Sequence, residues 1–273
     1  MLDSTVAYDL TFLFPTGDSA VGAALRNNGE FARTELDFLV EMATGQGALI
    51  DVGANIGAIG LPFARRRPDW TVLAIEAHRG LASVLAANAL NNRLYNVDLV
   101  HAAAGASRGL VDFPATPLSA ATNFGSIGFK MQGGSTEAVR MLTLDEVAPP
   151  ETRLVKIDVE GFEPQVLKGA AGLIARREAI WLVEATVQNP EASAEVVRLF
   201  QDAGYAVHWF YAPFATPNSP KGPPKDATRG DANVVALPPG VANLWNLPRV
   251  GAPGEMRPGS TAAYPYLTRY GYA

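Results

Sequence analysis

The sequence predicts an α/β fold: a doubly wound, mostly parallel seven-stranded sheet with a small β-insertion between strands three and four. Three observations predict it. Short apolar runs alternate with amphipathic helical patterns, as successive βαβ units require. Two of these runs end in acids followed by glycine, at residues 49–53 (LIDVG) and 154–161 (LVKIDVEG). Residues 105–150 interrupt the alternation with short runs between turns.

Residues 30–43 form the first helical pattern, with Leu36, Leu39, Val40 and Ala43 on one face, and Gly45 and Gly47 stop it. Residues 48–52 are the first main strand, followed by a glycine-rich turn and a helix through Arg66. Residues 70–75 are the second strand, with Glu76 at its end. A helix over 79–92 turns Leu81, Val84, Leu85 and Ala89 inward, and 97–103 is the third strand. Within the insertion, 109–113, 124–129 and 138–141 read as short strands.

Residues 153–159 are the fourth main strand. The helix over 164–176 starts with Pro164 at its first position, where a missing N–H costs nothing. Residues 180–184 are the fifth strand. The helix over 190–203 has Asn189 as N-cap, Pro190 next and Gly204 as C-cap. Residues 205–211 and 233–237 complete the sheet. The chain reads as one domain: a helical lead-in (1–47), a core (48–240) and an irregular tail (241–273). Residues 213–230 carry five prolines with Lys221, Lys225 and Arg229. A loop of this length is a candidate lid. Trp209, Phe210, Tyr211 and Phe214 suit either a stacking platform for an acceptor or internal packing.

The net charge is −5 and no basic block occurs. Nucleic acid is therefore not an expected partner, because phosphate binding draws on clustered Lys and Arg. No cysteine is present, which excludes disulfides, thiolate metal sites and cysteine nucleophiles, and suits a reducing compartment. The N-terminus lacks a basic n-region, so no secretory signal is expected. The longest apolar run, 47–64, contains Asp51, Asn55 and Pro62 and does not read as a membrane span. The expectation is a soluble, cytoplasmic protein.

The turn after the first strand carries Asp51, Gly53, Ala54, Asn55 and Gly57. Glycine there lets a ligand approach the backbone. The dinucleotide fingerprint G-x-G-x-x-G is not met, since Asn55 stands where the second glycine belongs. Asp51 would repel a pyrophosphate and suits a ligand with a cationic amino-acid portion. Glu76 ends the second strand, where an acid accepts ribose hydroxyls. Asp158, Glu160 and Glu184 bring three carboxylates to the same sheet edge. They could act as a general base, share a divalent cation or bind ammonium and hydroxyl groups. Alternatively, Glu160 caps the following helix. His78, His101 and His208 show no metal-ligand spacing.

Together, GEFARTE (29–35), DVGANIG (51–57), MLTLDEV (141–147) and LVKIDVEG (154–161) resemble the successive signatures of the FkbM-type methyltransferases. The likeness covers about residues 20–240. It implies a class I, Rossmann-like fold and an S-adenosylmethionine-dependent O-methyltransferase acting on a sugar, glycan or natural-product hydroxyl. It also implies residue roles. Asp51, Gly53, Ala54, Asn55 and Gly57 would hold the methionine portion, Glu76 the ribose, and Ala77, His78 and Ala103 the adenine. Asn123 lies in a segment that closes over the site, and Asp158, Glu160 and Glu184 are the catalytic candidates. An NAD-dependent oxidoreductase and a non-catalytic cofactor-binding module are the rival readings. A divalent metal has no support beyond the carboxylates themselves.

Overall fold

A computed structural model describes every residue except 130, 132, 133 and 187. It opens with an antiparallel hairpin, β1 (Leu2–Ala7) and β2 (Leu10–Pro15), followed by α1 (Val21–Asn28) and α2 (Arg33–Met42). The main sheet begins with β3 (Gly47–Val52), α3 (Gly60–Arg66), β4 (Trp70–Glu76), α4 (Arg79–Asn91) and β5 (Val97–His101). The insertion follows, with β6 (Ala103–Ala104), β7 (Gly109–Pro114), β8 (Thr136–Leu142) and the short helix α5 (Leu144–Val147). The chain returns through β9 (Thr152–Ile157), α6 (Glu163–Lys168), α7 (Ala171–Arg176), β10 (Ile180–Glu184) and α8 (Pro190–Asp202), and closes with β11 (Ala206–Pro213) and β12 (Gly230–Leu237).

The seven-stranded sheet has the order β11-β12-β10-β9-β3-β4-β5. Only β12 runs against its neighbours, as it pairs antiparallel with both β10 and β11. The predicted fold class and the position of the insertion are both present: β6, β8 and β7 form a separate three-stranded sheet. Every residue of β3 and β10 is buried. Parallel strands covered on both faces require such continuous apolar runs. From β3 the chain moves outward to β4 and β5, then crosses back to β9 on the other side of β3. This reversal opens a crevice at the carboxyl ends of β3 and β9, where ligands bind in open α/β sheets.

Several local expectations need correction. The lead-in is not purely helical. Leu10, Phe12 and Phe14 bury one face of β2 with a period of two, while the hairpin turn uses Tyr8 and Asp9 at φ 53° and 59°. Primed turns need such backbone, usually from Asn-Gly, so this turn lacks its ordinary sequence signal. The helix expected over 164–176 is split in two. Gly169 lies so close to the insertion that a Cβ there would stand 2.0 Å from the Gly105 carbonyl oxygen. The second half, α7, is capped from a distance by Asp145, whose carboxylate accepts from the backbone N–H groups of Gly172 and Leu173.

Asn189 makes no side-chain cap bond to α8. Residues 124–129 form no strand; Phe124–Ser126 is a 3₁₀ turn. The third main strand stops at His101, and Ala103–Ala104 leaves it to pair with β8. Among the described residues, no helix is long and apolar enough to cross a membrane.

The tail has no α-helix or strand, yet it is packed. Tyr264, Tyr266, Leu267 and Tyr270 are buried. The Tyr266 ring stacks on Phe210 with centroids 5.0 Å apart, and its hydroxyl donates to the Tyr211 carbonyl at 2.7 Å. Trp209, Phe210 and Tyr211 are thus core residues beneath the tail rather than a stacking platform.

Candidate functional site

The glycine turn after β3 forms the first wall of the crevice. Gly53, Asn55 and Gly57 have φ of 77°, 52° and 88°, so the chain coils tightly before α3 begins at Gly60. Gly53 is constrained twice. Its backbone is left-handed, and a Cβ would lie 1.9 Å from the Asp158 carbonyl oxygen. The two turns can approach this closely only through a glycine. Asn55 uses its side-chain oxygen to accept from the Ile56 N–H. Gly57 packs toward Leu61 and Leu85 and shapes the turn from behind.

Glu76, at the end of β4, binds this turn to the next one. One carboxylate oxygen accepts from the Asn55 N–H and the other from the His78 N–H, both at 2.7 Å. Burial pushes Glu76 up to about 7 despite these two donors. The His78 ring caps α4, with Nδ1 accepting from the Leu81 N–H. Its Nε2 lies 2.8 Å from the Thr116 carbonyl, which assigns the proton to Nε2. Burial lowers the His78 pKa, in keeping with a neutral ring.

Gly53, Asn55, Glu76, Ala77, His78 and Ala103 line one cavity, roofed by Phe124 of the insertion. Ala102, Ala103 and Ala104 give this cavity a stretch of small side chains.

A second cavity adjoins the first and is lined by Asp51, Ala54, Asn55, Asn123, Lys156 and Asp158, with Phe31 and Phe214 closing one side. Asp51 and Lys156 are register partners on β3 and β9, so their side chains leave the sheet on the same face. The Lys156 ammonium lies 3.8 Å from Asp51 Oδ1 and 3.2 Å from Asp158 Oδ2. Burial acts to lower the Lys156 pKa, but Asp158, Asp51 and Glu35 outweigh it and hold the ammonium above its ordinary value. Burial raises Asp51, and Lys156 partly offsets this. Neither Asp51 oxygen has a hydrogen bond among the described residues, although the residue is 1% exposed. An acid that faces a cavity without a hydrogen bond, with Lys156 as its nearest cation at 3.8 Å, is chemically suited to a ligand ammonium.

Beyond Asp158 the chain reverses. β9 ends at Ile157, so Asp158 and Glu160 do not alternate along a strand. Glu160 adopts φ 54° and Gly161 φ 89°. Glu163 fastens the turn by accepting from the Val159 and Gly161 N–H groups at 3.1 and 2.9 Å. The acid serving the start of α6 is therefore Glu163, which leaves Glu160 free to face the crevice. Burial, with Asp158 and Glu163 beside it, pushes Glu160 up to about 8.

Glu184, at the end of β10, joins this corner. Oxygens of Asp158, Glu160 and Glu184 all lie within 4.8 Å of one another. Burial, and then the Asp158 and Glu160 charges, holds Glu184 well above the usual carboxylate range. Glu160 and Glu184 also line a third, wider cavity with Asn123, Ser126, Asp231 and Arg257.

Two functional candidates escaped the sequence reading. Lys156 lies inside the LVKIDVEG run but reads there as an ordinary strand residue. Its significance comes from the register that sets it beside Asp51. Asp231 lies in β12, which starts three residues before the strand expected over 233–237, and it lines both the second and third cavities. His208 is buried and lines none of these cavities, and burial lowers its pKa. Lys221, in the proline-rich segment, points away from the site. Its ammonium donates to Thr5 Oγ1 and to the Leu25 carbonyl.

The family description "Methyltransferase FkbM domain" matches residues 51–207, more than half of the chain. None of the curated proteins matches it. Among solved structures, a SAM-dependent methyltransferase from Agrobacterium tumefaciens aligns over 87% of this chain and 70% of its own, with 11% identity and a TM-score of 0.51. This likeness speaks for the fold alone. The methyltransferase FkbM from Methylobacillus flagellatus KT aligns over 72% of this chain with 16% identity and a TM-score of 0.48. The chain spans 45% of that protein's length. M. jannaschii TYW2, solved in complex with AdoMet, aligns over 86% of this chain and 84% of its own, at 12% identity and a TM-score of 0.45. With the matched segment running from Asp51 through the Asp158–Glu160 turn and past Glu184, the chain belongs to the FkbM methyltransferase domain family.

Proposed function

We propose that the protein transfers a methyl group from S-adenosylmethionine to a hydroxyl of a sugar, glycan or natural product. The observation that carries this reading is the continuity of the three cavities through one turn. Glu160 lines all three, and Asp158 lines the first two. A ligand occupying the first two would therefore present its reactive centre to the corner that borders the third.

In this reading Glu76 and the 102–104 alanines hold the nucleoside, and the buried Asp51 carboxylate binds the amino-acid ammonium. Gly53 and Asn55 shape the wall between them. Lys156 fixes Asp51 and Asp158 relative to each other. Bound S-adenosylmethionine supplies a methyl group already activated by its sulfonium. The protein's remaining tasks are to align the acceptor oxygen and to provide for its proton. The carboxylate corner of Asp158, Glu160 and Glu184, of which Glu160 and Glu184 line the third cavity, can polarise that hydroxyl or accept its proton. As the C–O bond forms, the C–S bond breaks and its electron pair remains on sulfur.

The test pairs a calorimetric titration of S-adenosylmethionine with a labelled-methyl transfer assay on a glycan and natural-product panel. Asp51→Ala is expected to abolish cofactor binding, and Asp158→Ala to abolish transfer. Unchanged affinity in Asp51→Ala would sink the cofactor assignment. Cofactor binding by the wild type with no transfer to any acceptor would favour the non-catalytic module.

A further inference from the structure

We infer that Asp158, Glu160 and Glu184 form a divalent-cation site at the border of the acceptor cavity. Their three oxygens, within 4.8 Å of one another, fit around a single ion, because hard cations take oxygen ligands at about 2.0–2.6 Å. The donor set is all carboxylate. Such a set selects Mg²⁺, Mn²⁺ or Ca²⁺ over metals that prefer imidazole or thiolate.

Proximity of acids alone would be weak ground, but Glu184 adds a separate observation. Its side chain is more than nine-tenths buried, and Oε2 has no hydrogen-bond partner among the described residues. A buried carboxylate without donors is costly unless something else supplies positive charge. Neither nearby cation does so. Lys156 is engaged with Asp51 and Asp158, Arg257 of the same cavity lies over the Tyr211 ring, and no ion pair to Glu160 or Glu184 occurs among the described residues. The backbone around the cluster is fixed rather than loose. Glu163 ties Val159 and Gly161, and Glu160 is held in a left-handed conformation that side chains seldom adopt. Uncommon backbone of this kind is a mark of functional sites.

A divalent ion also suits the charge count better than a protonated amine. Asp231 lines the same cavity, so Glu160, Glu184 and Asp231 together face it against a single lining cation, Arg257. One ammonium would offset a single charge, whereas the ion offsets two. The wide cavity leaves the ion's outer face to water and to an acceptor oxygen.

The site itself does not depend on the methyl-transfer reading, but its role in the reaction does. An acceptor hydroxyl bound to the ion becomes more acidic. As its oxygen bonds to the methyl carbon and the C–S electron pair moves to sulfur, the proton passes to Asp231, the carboxylate of this cavity left outside the cluster.

The experiment uses the full chain stripped of metal with chelator and titrated with Mn²⁺, followed by paramagnetic resonance of the free ion. S-adenosylmethionine affinity is measured by calorimetry on the same samples. The wild type is expected to bind one Mn²⁺. Glu184→Gln should weaken that binding by more than the roughly 10–100-fold that loss of an outer-shell partner costs, with cofactor affinity unchanged. Glu160→Gln, at a more exposed position, should do the same and serves if the first variant fails to fold. No Mn²⁺ binding by the wild type, or equal binding by a folded variant, would overturn the site. A protein that binds an amine acceptor but not Mn²⁺ would overturn it too. Loss of cofactor affinity in every sample, with Mn²⁺ binding intact, would instead count against the methyl-transfer reading.

Discussion

The two halves of the crevice handle their acids in opposite ways. On the β4 side, Glu76 gives each of its oxygens a backbone N–H, and the acid serves as a brace between two turns. On the β10 side, Glu184 is as deeply buried, yet its Oε2 receives nothing from the described residues. Both carboxyls are raised, first by burial. Burial alone therefore does not distinguish an acid supplied with donors from one left without; the groups around it do. Lys156 stands between the halves and belongs to both, pairing with Asp51 on β3 and with Asp158 beyond β9.

The largest expected effect comes from separating the halves where they touch. Gly53→Ala places a Cβ on the Asp158 carbonyl at a left-handed position. Backbone strain of this kind costs about 1–3 kcal/mol before any steric term is added. The variant is expected to lose most of its folded population or to melt many degrees lower, as followed by circular dichroism. A melting point close to wild type would show that the two turns are not locked together.

Removing the shared cation comes next. Lys156→Met leaves Asp51 and Asp158 without their partner, and breaking a buried pair in this way costs roughly 3–5 kcal/mol. Urea denaturation should show that loss. A variant that also replaces Asp51 by Asn should recover part of it, because one of the stranded charges is then gone. If the double variant recovers nothing, the Asp51–Lys156 interaction is not what binds the halves.

The smallest effect is a dependence on pH. Glu76 titrates near 7 in the folded chain against an ordinary value of 4.5. A raised folded value means that its contribution favours the folded state below pH 4.5 and is lost as pH rises through 7. Relative to Glu76→Gln, the wild type should lose up to about 3 kcal/mol between pH 4.5 and 8. The check is the difference between the two proteins' unfolding free energies across that range. A difference that stays flat with pH would mean the two N–H donors fully offset the burial.

Long-range order in this molecule was more legible in the sequence than its joints. The seven strands could be placed because buried parallel strands leave apolar runs that alternate with helical periods. Asp51, Glu76, Asp158 and Glu184 could be named as candidates because each ends, or nearly ends, such a run. The split between α6 and α7 could not, since its cause is the Gly105 backbone, far away in sequence. The β1–β2 hairpin has a readable period in Leu10, Phe12 and Phe14 but no turn signal to frame it. Lys156 was hidden for another reason: its role arises from the pairing of β3 with β9, and one strand alone does not reveal its neighbour's register. The freedom of Glu160 likewise depended on which acid, Glu160 or Glu163, would accept the turn's N–H groups.

The proline-rich segment has a mechanical consequence. It leaves the site beside Phe214 and returns to it at Asp231. Between these points it is pinned to the N-terminal region, where Glu30 accepts from the Thr216 and Ser219 hydroxyls and Lys221 reaches Thr5 and Leu25. The hairpin at the start of the chain thus acts as an anchor post for a strap whose two ends are walls of the crevice. A change at that anchor would bear on both walls at once, so the width of the crevice depends in part on residues that do not line it.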